Sequence, residues 1–424
     1  MSQPLPFYPL GRAYAWSLVA LHYRRRVVGG EIPKDGPLIQ ICNHNNGLVD
    51  GALQFELTRR PLRILAKYTL LEIPGLGRIL KGLGAIPVYR QKDGVDTSKN
   101  AESFRAISAA LHHGGSILMF PEGESRFHHN VRSFKTGAAR MVLQAEELGD
   151  FQVRVQVVPV GISYDETYGY RSNAWLWVGE PQLAVHMKAD YEDNPRIAVR
   201  TLLSAYRTAQ RAVTVELDQA TDHRPVCMAE RLVPDNGSHV PGRRQALAKR
   251  FGELREADPE ATSALTSRLA ALSCDLERRA LCARELSAPP SPSKILLRFA
   301  GGLLLWTLLL PALLLAAPPF LLTRTIAFVS PAPRDKVITI ALLLWSIVCP
   351  IWGLFWVLMA GLQWGWTGAG IALACVLAAN LGVGYLWQNR RMLRNAWSWI
   401  GAHRVRRRLG VECDELRERL APLP

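Results

Sequence analysis

Few of the patterns that would assign a chemistry at once occur in this 424-residue sequence. Its seven cysteines (Cys42, Cys227, Cys274, Cys282, Cys349, Cys375, Cys413) are odd in number and scattered, with no C-x-x-C pair. That excludes a disulfide framework or a zinc ribbon and fits a reducing compartment. No G-x-S-x-G elbow and no P-loop is present, so serine-hydrolase and nucleotide-triphosphatase chemistries lack their motifs. His112-His113 and His128-His129 have no acid or cysteine at ligand spacing, and neither a metal nor a cofactor is expected. There is no internal repeat. Acid is short relative to base, 36 Asp+Glu against 51 Lys+Arg for a formal charge of +15. With 49% hydrophobic residues, disorder over the whole length is excluded.

Charge is missing altogether from two stretches near the C-terminus, residues 299–323 and 337–389. Roughly 20 apolar residues suffice to cross a bilayer. The second stretch divides at Gly361-Leu-Gln-Trp-Gly-Trp-Thr-Gly, a turn-like segment whose Trp364 and Trp366 suit a membrane interface. Its halves, about 337–359 and 371–387, read as a helical hairpin. The first contains Pro311, Pro318 and Pro319, which interrupt helices. It reads as a re-entrant segment, with a full span as the alternative. Basic residues flank all three ends: Lys294 and Arg298, then Arg324, Arg334 and Lys336, then Arg390, Arg391, Arg394, Arg404, Arg406, Arg407 and Arg408. Such clusters prefer the cytoplasm, which calls for an even number of crossings between them. The expected location is therefore an integral membrane protein with its remaining mass in the cytoplasm, at the inner membrane if the source is bacterial. The last cluster suits anionic lipid headgroups better than nucleic acid.

The N-terminal segment is too weakly apolar for a cleavable signal and is followed, not preceded, by Arg24, Arg25 and Arg26. Its aromatics suit a helix in the headgroup layer, although an ordinary docked helix reads equally well. Between the ends, Pro37–Cys42, Arg63–Ala66, Ala85–Val88, Ser116–Phe120 and Val153–Ile162 read as strands, and Ser98–His112 and Lys135–Leu148 as helices. The pattern is α/β, a mixed sheet flanked by helices, with a C-terminal transmembrane helical region. Six segments follow: 1–34 interfacial helix, 35–185 catalytic domain, 186–286 charged and helical, 287–294 Pro/Ser linker, 295–389 membrane region, 390–424 basic cytoplasmic tail.

Asn43-His44-Asn45-Asn46-Gly47-Leu48-Val49-Asp50 follows the strand PLIQIC, where α/β sheets hold reactive groups. His44 can act as a general base near neutrality. A carboxylate on its other ring nitrogen would fix the tautomer. Six positions along a straight helix would set His44 and Asp50 roughly 120° apart, so pairing them needs a turn, which Gly47 and two asparagines permit. A helix-capping histidine beside an unrelated aspartate is the alternative. Phe120-Pro121-Glu122-Gly123-Glu124-Ser125-Arg126 follows another strand, where Ser125 or Arg126 could meet phosphate oxygens. Arg90 ends a third strand segment, Gly84-Ala85-Ile86-Pro87-Val88-Tyr89-Arg90, and offers a bidentate donor to an anion. Lys67, at a strand-to-helix turn, either aids anion binding or stands in solvent.

Taken in order, these blocks resemble the glycerolipid acyltransferase family of the bacterial lysophosphatidate acyltransferase type. That family has a His and an Asp in its first block, an Arg-ended second block, an F-P-E-G block, and a V-P-V-like fourth, here Val158-Pro159-Val160. The resemblance covers roughly residues 35–185. The common pattern separates His and Asp by four residues, whereas five intervene here. The N-H-x-N-x-x-x-D form is similar to the glycerol-3-phosphate/dihydroxyacetone-phosphate acyltransferase branch that includes the fungal dual-substrate enzymes.

The resemblance implies direct transfer of a fatty acyl group from acyl-CoA or acyl carrier protein to a glycerol-phosphate hydroxyl. His44 and Asp50 would be catalytic, and Arg90, with Lys67, Glu122, Gly123, Ser125 and Arg126, would form the acceptor site. Amides of the Gly47 turn would be candidate oxyanion donors. Two other functions stay open: acylation of 1-acylglycerol 3-phosphate at its second hydroxyl, and a non-catalytic lipid-binding scaffold that keeps the fold.

Overall fold

The segment LIQIC has no residue that water would hold at the surface except Gln40, and in the structure all five of its residues are fully buried. Such a run suits a strand covered on both faces, the usual state of a parallel sheet. The computed structural model describes residues 8–126, 129–234, 237–333 and 336–421. His128 and Arg334 lie outside the described residues, as do the side chains of residues 380–392.

The chain divides into two compact units, residues 1–167 with 172–216, and residues 168–171 with 217–424. The first is built on an eight-stranded sheet: β1 (Tyr23–Gly29), β2 (Leu38–Cys42), β3 (Leu62–Lys67), β4 (Ile86–Val88), β5 (Ser116–Met119), β6 (Gln156–Tyr164), β7 (Ser172–Val178) and β8 (Gln182–Leu183). Their order is β1-β7-β6-β2-β5-β3-β4, and β8 also pairs with β6. Strands β2 to β6 are all parallel where they pair, while β7 and β8 run antiparallel to β6. The C-terminal ends of five strands therefore meet at one edge of the sheet.

One face of the sheet packs Ile39, Ile41, Ile117 and Met119 against helices Asn100–His112, Gly137–Leu148 and Pro195–Ala212. Each such fully buried side chain contributes about 1.5–3 kcal/mol. Helix Pro195–Ala212 places Ala198, Leu202 and Tyr206 in this core, so it belongs to the sheet and not to the charged region read from residue 186 onward. Its start is set locally: Pro195 opens the first turn and Asn194 caps it, accepting from the amides of Arg196 and Ile197.

Three strands were not anticipated. The segment 23–29 reads in sequence as the basic flank of the N-terminal helix, yet it forms the sheet edge. Its charges are tolerated because an edge strand leaves them a way out. Arg25 lies 4.2 Å over the Trp16 ring and pairs with Glu56 at 2.7 Å. Helix Tyr8–His22 docks on this unit by polar contacts, Arg12 donating to the carbonyls of Phe55 and Thr58 and Leu62 N to the Tyr8 hydroxyl. β7 and β8 lie in the segment 172–183, whose apolar run 174–178, closed by Gly179 and Pro181, is itself a strand signal.

The second unit is helical. It includes His223–Leu232, Val240–Ala257, Pro259–Arg279, Ala283–Ser287, Pro292–Val329, Val337–Gly401 and His403–Leu420. Among the described residues, one stretch, Val337–Ala379, is long and apolar enough to cross a membrane. The helix that holds it is interrupted at Trp364 and Gly365, whose backbone angles are not helical. Gly353 and Gly361, before the break, lie against Val376 and Ala369 beyond it, so the halves on either side run next to each other.

Helix Pro292–Val329 continues through its prolines. Pro319 has no N–H to offer the Leu315 carbonyl four residues back. That carbonyl instead accepts the indole N–H of Trp352 at 2.8 Å. A neighbouring side chain thus replaces the missing backbone donor, which is how an apolar helix tolerates proline.

Candidate active site

The site assembles at the C-terminal edge of β2 to β6, where chain leaving each strand must turn. The turn after β2 is fixed by Asn43, whose side chain exchanges two hydrogen bonds with the backbone of Ile162 on β6, at 2.7 and 2.9 Å. His44 comes next, and helix Gly47–Leu53 then begins with Gly47 at a φ of 48°. Non-helical backbone before Gly47 lets the chain swing His44 back over the first turn of that helix. The structure thereby brings His44 and Asp50 together: Nδ1 lies 2.9 Å from Asp50 Oδ2.

Asp50 is fully buried and held on every side. Oδ2 also accepts the backbone amides of Asn45 and Asn46 at 2.7 and 2.6 Å, a backward cap on the helix start. Oδ1 accepts the Tyr164 hydroxyl at 2.5 Å from the end of β6. Burial, followed by the nearby Asp50 charge, pushes the Tyr164 phenol well up, so it stays a donor. The network continues inward, Asn46 Nδ2 donating to the Tyr23 hydroxyl at 2.9 Å and Tyr23 donating to the Thr167 carbonyl. A carboxylate so surrounded is fixed in one orientation. With the Nδ1 proton turned to Asp50, Nε2 is the free lone pair of His44.

The F-P-E-G turn after β5 covers this dyad. Phe120 stacks on the His44 ring with centroids 3.9 Å apart. Arg126 N donates to the His44 carbonyl at 3.0 Å, and Gly123 N closes a turn on the Phe120 carbonyl. Gly123 takes a φ of 78°, and a Cβ there would lie 3.2 Å from Lys135 Cγ. Glycine is thus favoured by conformation, whereas the exposed Lys135 side chain would have to give way by only a little. Glu122 turns inward, where its carboxylate meets Arg132 Nε at 3.0 Å. Burial raises its pKa, and Arg132 and then His44 only partly offset this. Arg132 also holds Glu124, through its carboxylate at 3.2 Å and its carbonyl at 2.5 Å. The Arg126 side chain is exposed and pairs with Glu124 at 3.1 Å. Ser125 is half-buried on the same turn.

Arg90 and Lys67 come from the neighbouring strand ends. Arg90 Nη1 donates to the Gly123 carbonyl at 2.6 Å, which ties it to the loop that stacks on His44. Arg90 Nε and Lys67 Nζ lie 3.0 and 3.1 Å from the two carboxylate oxygens of Asp93. Burial raises the Asp93 pKa, but the bonds from Arg90 and Lys67 outweigh it and hold the carboxyl below its usual range. Tyr89, just before, is clamped by Asn100 through both its N–H and its carbonyl, at 2.9 and 2.6 Å.

His44, Asp50, Arg90, Lys67 and the Gly123 turn thus share one edge, while the Glu122 carboxylate faces inward and Arg126 outward. Asp93, Arg132 and Tyr164 were missed. Asp93 and Tyr164 stand at or within a few residues of a strand end at this edge, which is the signal that could have found them, whereas Arg132 lies thirteen residues beyond β5 and carries no such signal. Among the described residues, no three His, Cys, Asp or Glu side chains gather as metal ligands, and all seven cysteines are free thiols.

A histidine–carboxylate pair thus lies at the carboxyl edge of parallel strands, beside a guanidinium and an ammonium, an arrangement whose chemistry can include proton removal and the holding of an anion. Residues 24–163 match the model of the family described as Acyltransferase. The chain is similar to glycerol-3-phosphate O-acyltransferase 2 of Saccharomyces cerevisiae, 34% identical over 116 residues, which is 27% of this chain and 16% of the yeast protein. It is similar also to 1-acyl-sn-glycerol-3-phosphate acyltransferase of Borreliella burgdorferi, 34% identical over 119 residues, 28% of this chain and 46% of that one. The chain thus covers less than half the length of these curated relatives. The crystal structure of the 1-acyl-sn-glycerophosphate acyltransferase of Thermotoga maritima superposes with a TM-score of 0.35 at 20% identity, over 49% of this chain and 78% of that one.

Proposed function

We propose that this chain is a membrane-bound O-acyltransferase that moves a fatty acyl group from a thioester to a hydroxyl of a glycerol phosphate, in phosphatidic acid biosynthesis. The observation that carries the reading is the buried Asp50 carboxylate 2.9 Å from His44 Nδ1, with Nε2 left as proton acceptor. In the reaction, Nε2 takes the acceptor's hydroxyl proton as that oxygen attacks the thioester carbonyl. The tetrahedral intermediate then expels the thiolate, which the imidazolium protonates. Asp50 stabilises the imidazolium without taking its proton. Amides of Asn45 and Asn46 are committed to Asp50, so Gly47 N–H is the nearer candidate for the oxyanion.

Arg90 and Lys67 receive the acceptor's phosphate, and Glu122, Gly123, Ser125 and Arg126 shape the loop between phosphate and base. The acceptor is glycerol 3-phosphate or dihydroxyacetone phosphate, and the donor acyl-CoA or acyl carrier protein. The longer His/Asp spacing favours this reading. Acylation of 1-acylglycerol 3-phosphate is the second reading, supported by the Borreliella burgdorferi relative at the same identity as the yeast one. The exposed apolar face of Val337–Ala379 supports a membrane location, and the basic flanks favour a cytoplasmic catalytic unit. Anionic lipid headgroups are the partners suited to the groove lined by Arg268, Arg404, Arg407 and Arg408, which outnumber Glu412 and Glu415 on the same wall. The test is an assay of the purified chain with acyl-CoA and each acceptor. Transfer abolished in His44→Ala is expected, and equal inactivity of both proteins on every acceptor would overturn the proposal in favour of a lipid-binding scaffold.

A further inference from the structure

The two cations assigned to the acceptor's phosphate are already bound to an anion, and the anion is part of the chain. Asp93 sits in the short turn Gln91–Asp93 after β4, followed by Gly94 in the left-handed conformation. One of its oxygens meets Lys67 Nζ and the other Arg90 Nε, at 3.1 and 3.0 Å. Two cations, each on its own oxygen of one acid, is also the arrangement a phosphate monoester makes with two of its oxygens. Lys67 and Arg90 carry two positive charges, and Asp93 cancels one. The Asp93 side chain is nine-tenths buried, whereas Arg90 and Lys67 are more open, at 23% and 34%.

Which partner gives way follows from the anchoring. Arg90 is held from two sides, by the Asn100 clamp on Tyr89 and by the Gly123 carbonyl. Tyr89 is also stacked on Tyr68, ring centroids 4.7 Å apart, next to Lys67. Asp93 is held by the cations themselves and by a backbone bond to Arg90 within its own turn. The space around Gly94 is open, with nothing within 4 Å of where a Cβ would stand. Rotation of the Asp93 side chain away from the pair would free both cations without moving either.

We propose that Asp93 is an internal competitor for the acceptor's phosphate: it occupies the Lys67–Arg90 pair when no acceptor is bound, yields it to a phosphomonoester, and returns when the product leaves. The inference rests on the reading that this pair receives the phosphate. It has a kinetic purpose. Acceptor and product carry the same phosphomonoester, so a pair of unopposed cations would hold both equally well and would be slow to empty. A competing carboxylate weakens ground-state binding of both, which favours turnover over capture.

The experiment compares the full chain in detergent with Asp93→Asn, Asp93→Ala and Asp96→Asn. The last changes the same charge three residues away, at an exposed carboxylate whose bonds go to Ser98. Binding of inorganic phosphate is read from the shift in thermal unfolding, which needs no catalysis, and acceptor KM and inhibition by product are read from steady-state kinetics. Loss of two partly exposed ion pairs from the competition predicts about tenfold tighter phosphate binding in both Asp93 variants. Acceptor KM and the product inhibition constant should fall by a like factor, kcat should fall with them, and Asp96→Asn should match the wild type. Weaker phosphate binding and a raised KM in both Asp93 variants would overturn the proposal, because Asp93 would then be ordering the cations for the substrate. An equal effect in Asp96→Asn would also overturn it, as general electrostatics. If no acyl transfer occurs yet the Asp93 variants bind phosphate about tenfold more tightly, the acyltransferase reading falls and the competitor stands. If transfer occurs and phosphate binding does not change, the competitor alone falls.

Discussion

The two units use the same apolar side chains in opposite ways. In the α/β unit, Ile39, Ile41, Ile117 and Leu118 are fully buried, and the polar groups of the Asp50 network are folded in among them. In Val337–Ala379, Ile347, Ile351, Leu354, Leu358 and Leu362 stand more than half exposed. One unit hides its oil and organises a few polar atoms within it. The other presents oil outward and keeps its polar contacts, such as Trp352 on Leu315, between helices. By composition and exposure, the outward face of Val337–Ala379 suits an apolar surrounding, whereas the α/β unit keeps its apolar side chains inside.

The largest expected effect is on the polar interior of the first unit. His44→Ala should lower acyl transfer by about 10²–10⁴-fold in the purified-protein assay, with far-UV circular dichroism unchanged. Arg132→Met leaves the buried Glu122 carboxylate without its partner and should destabilise the unit by about 3–5 kcal/mol, measured by thermal unfolding. Pairing it with Glu122→Gln should recover much of that loss. The direction of the Glu122 shift adds a pH signature. Its folded pKa lies above the unfolded one, so its contribution is fully present below the unfolded pKa and is lost as pH rises through the folded one. Glu122→Gln should flatten that slope in the weakly acidic range.

The second unit offers the sharper contrast. Leu358→Lys puts a charge on the outward face of Val337–Ala379 and should oppose membrane insertion by about 2.5–3.5 kcal/mol, read from the inserted fraction. Leu148→Lys, at a residue similarly exposed on the α/β unit, should change stability by no more than about 0.5 kcal/mol. Equal tolerance at both positions would erase the distinction between the units. Tyr164→Phe deprives the buried Asp50 of one donor to a charged acceptor, a loss of about 1.5–3 kcal/mol in unfolding measurements. The smallest effect is expected for Trp352→Phe, about 0.5–1.5 kcal/mol of helix-pair stability in detergent.

Much of the α/β unit could be read ahead because its strands are continuous apolar runs bounded by turn residues. The runs at 37–42, 63–66, 85–88, 116–120 and 153–162 each contain a strand within a few residues of the expected ends. The segment 23–29 could not be, since its three arginines carry no strand pattern and its role comes from pairing with β7, about 150 residues away. The same divide runs through the site. His44 and Asp50 are six residues apart, and a turn requirement could be stated from spacing alone. Tyr164 reaches Asp50 across 114 residues, and only the parallel alignment of β2 with β6 brings them level. Asp93 could not be read as the counter-ion of Lys67, because that pairing follows from β3 lying beside β4.

The bond from Trp352 to Leu315 carries a consequence for biogenesis. A proline-bearing helix that borrows its missing donor from a later segment is incomplete while it waits in the bilayer. Leu315 leaves the ribosome first, and Trp352 follows 37 residues behind, so the orphan carbonyl remains unsatisfied until the next helix arrives. If this region inserts into a bilayer as proposed, its insertion is an ordered, paired event, and slowing the emergence of the second helix should expose the first to quality-control proteolysis.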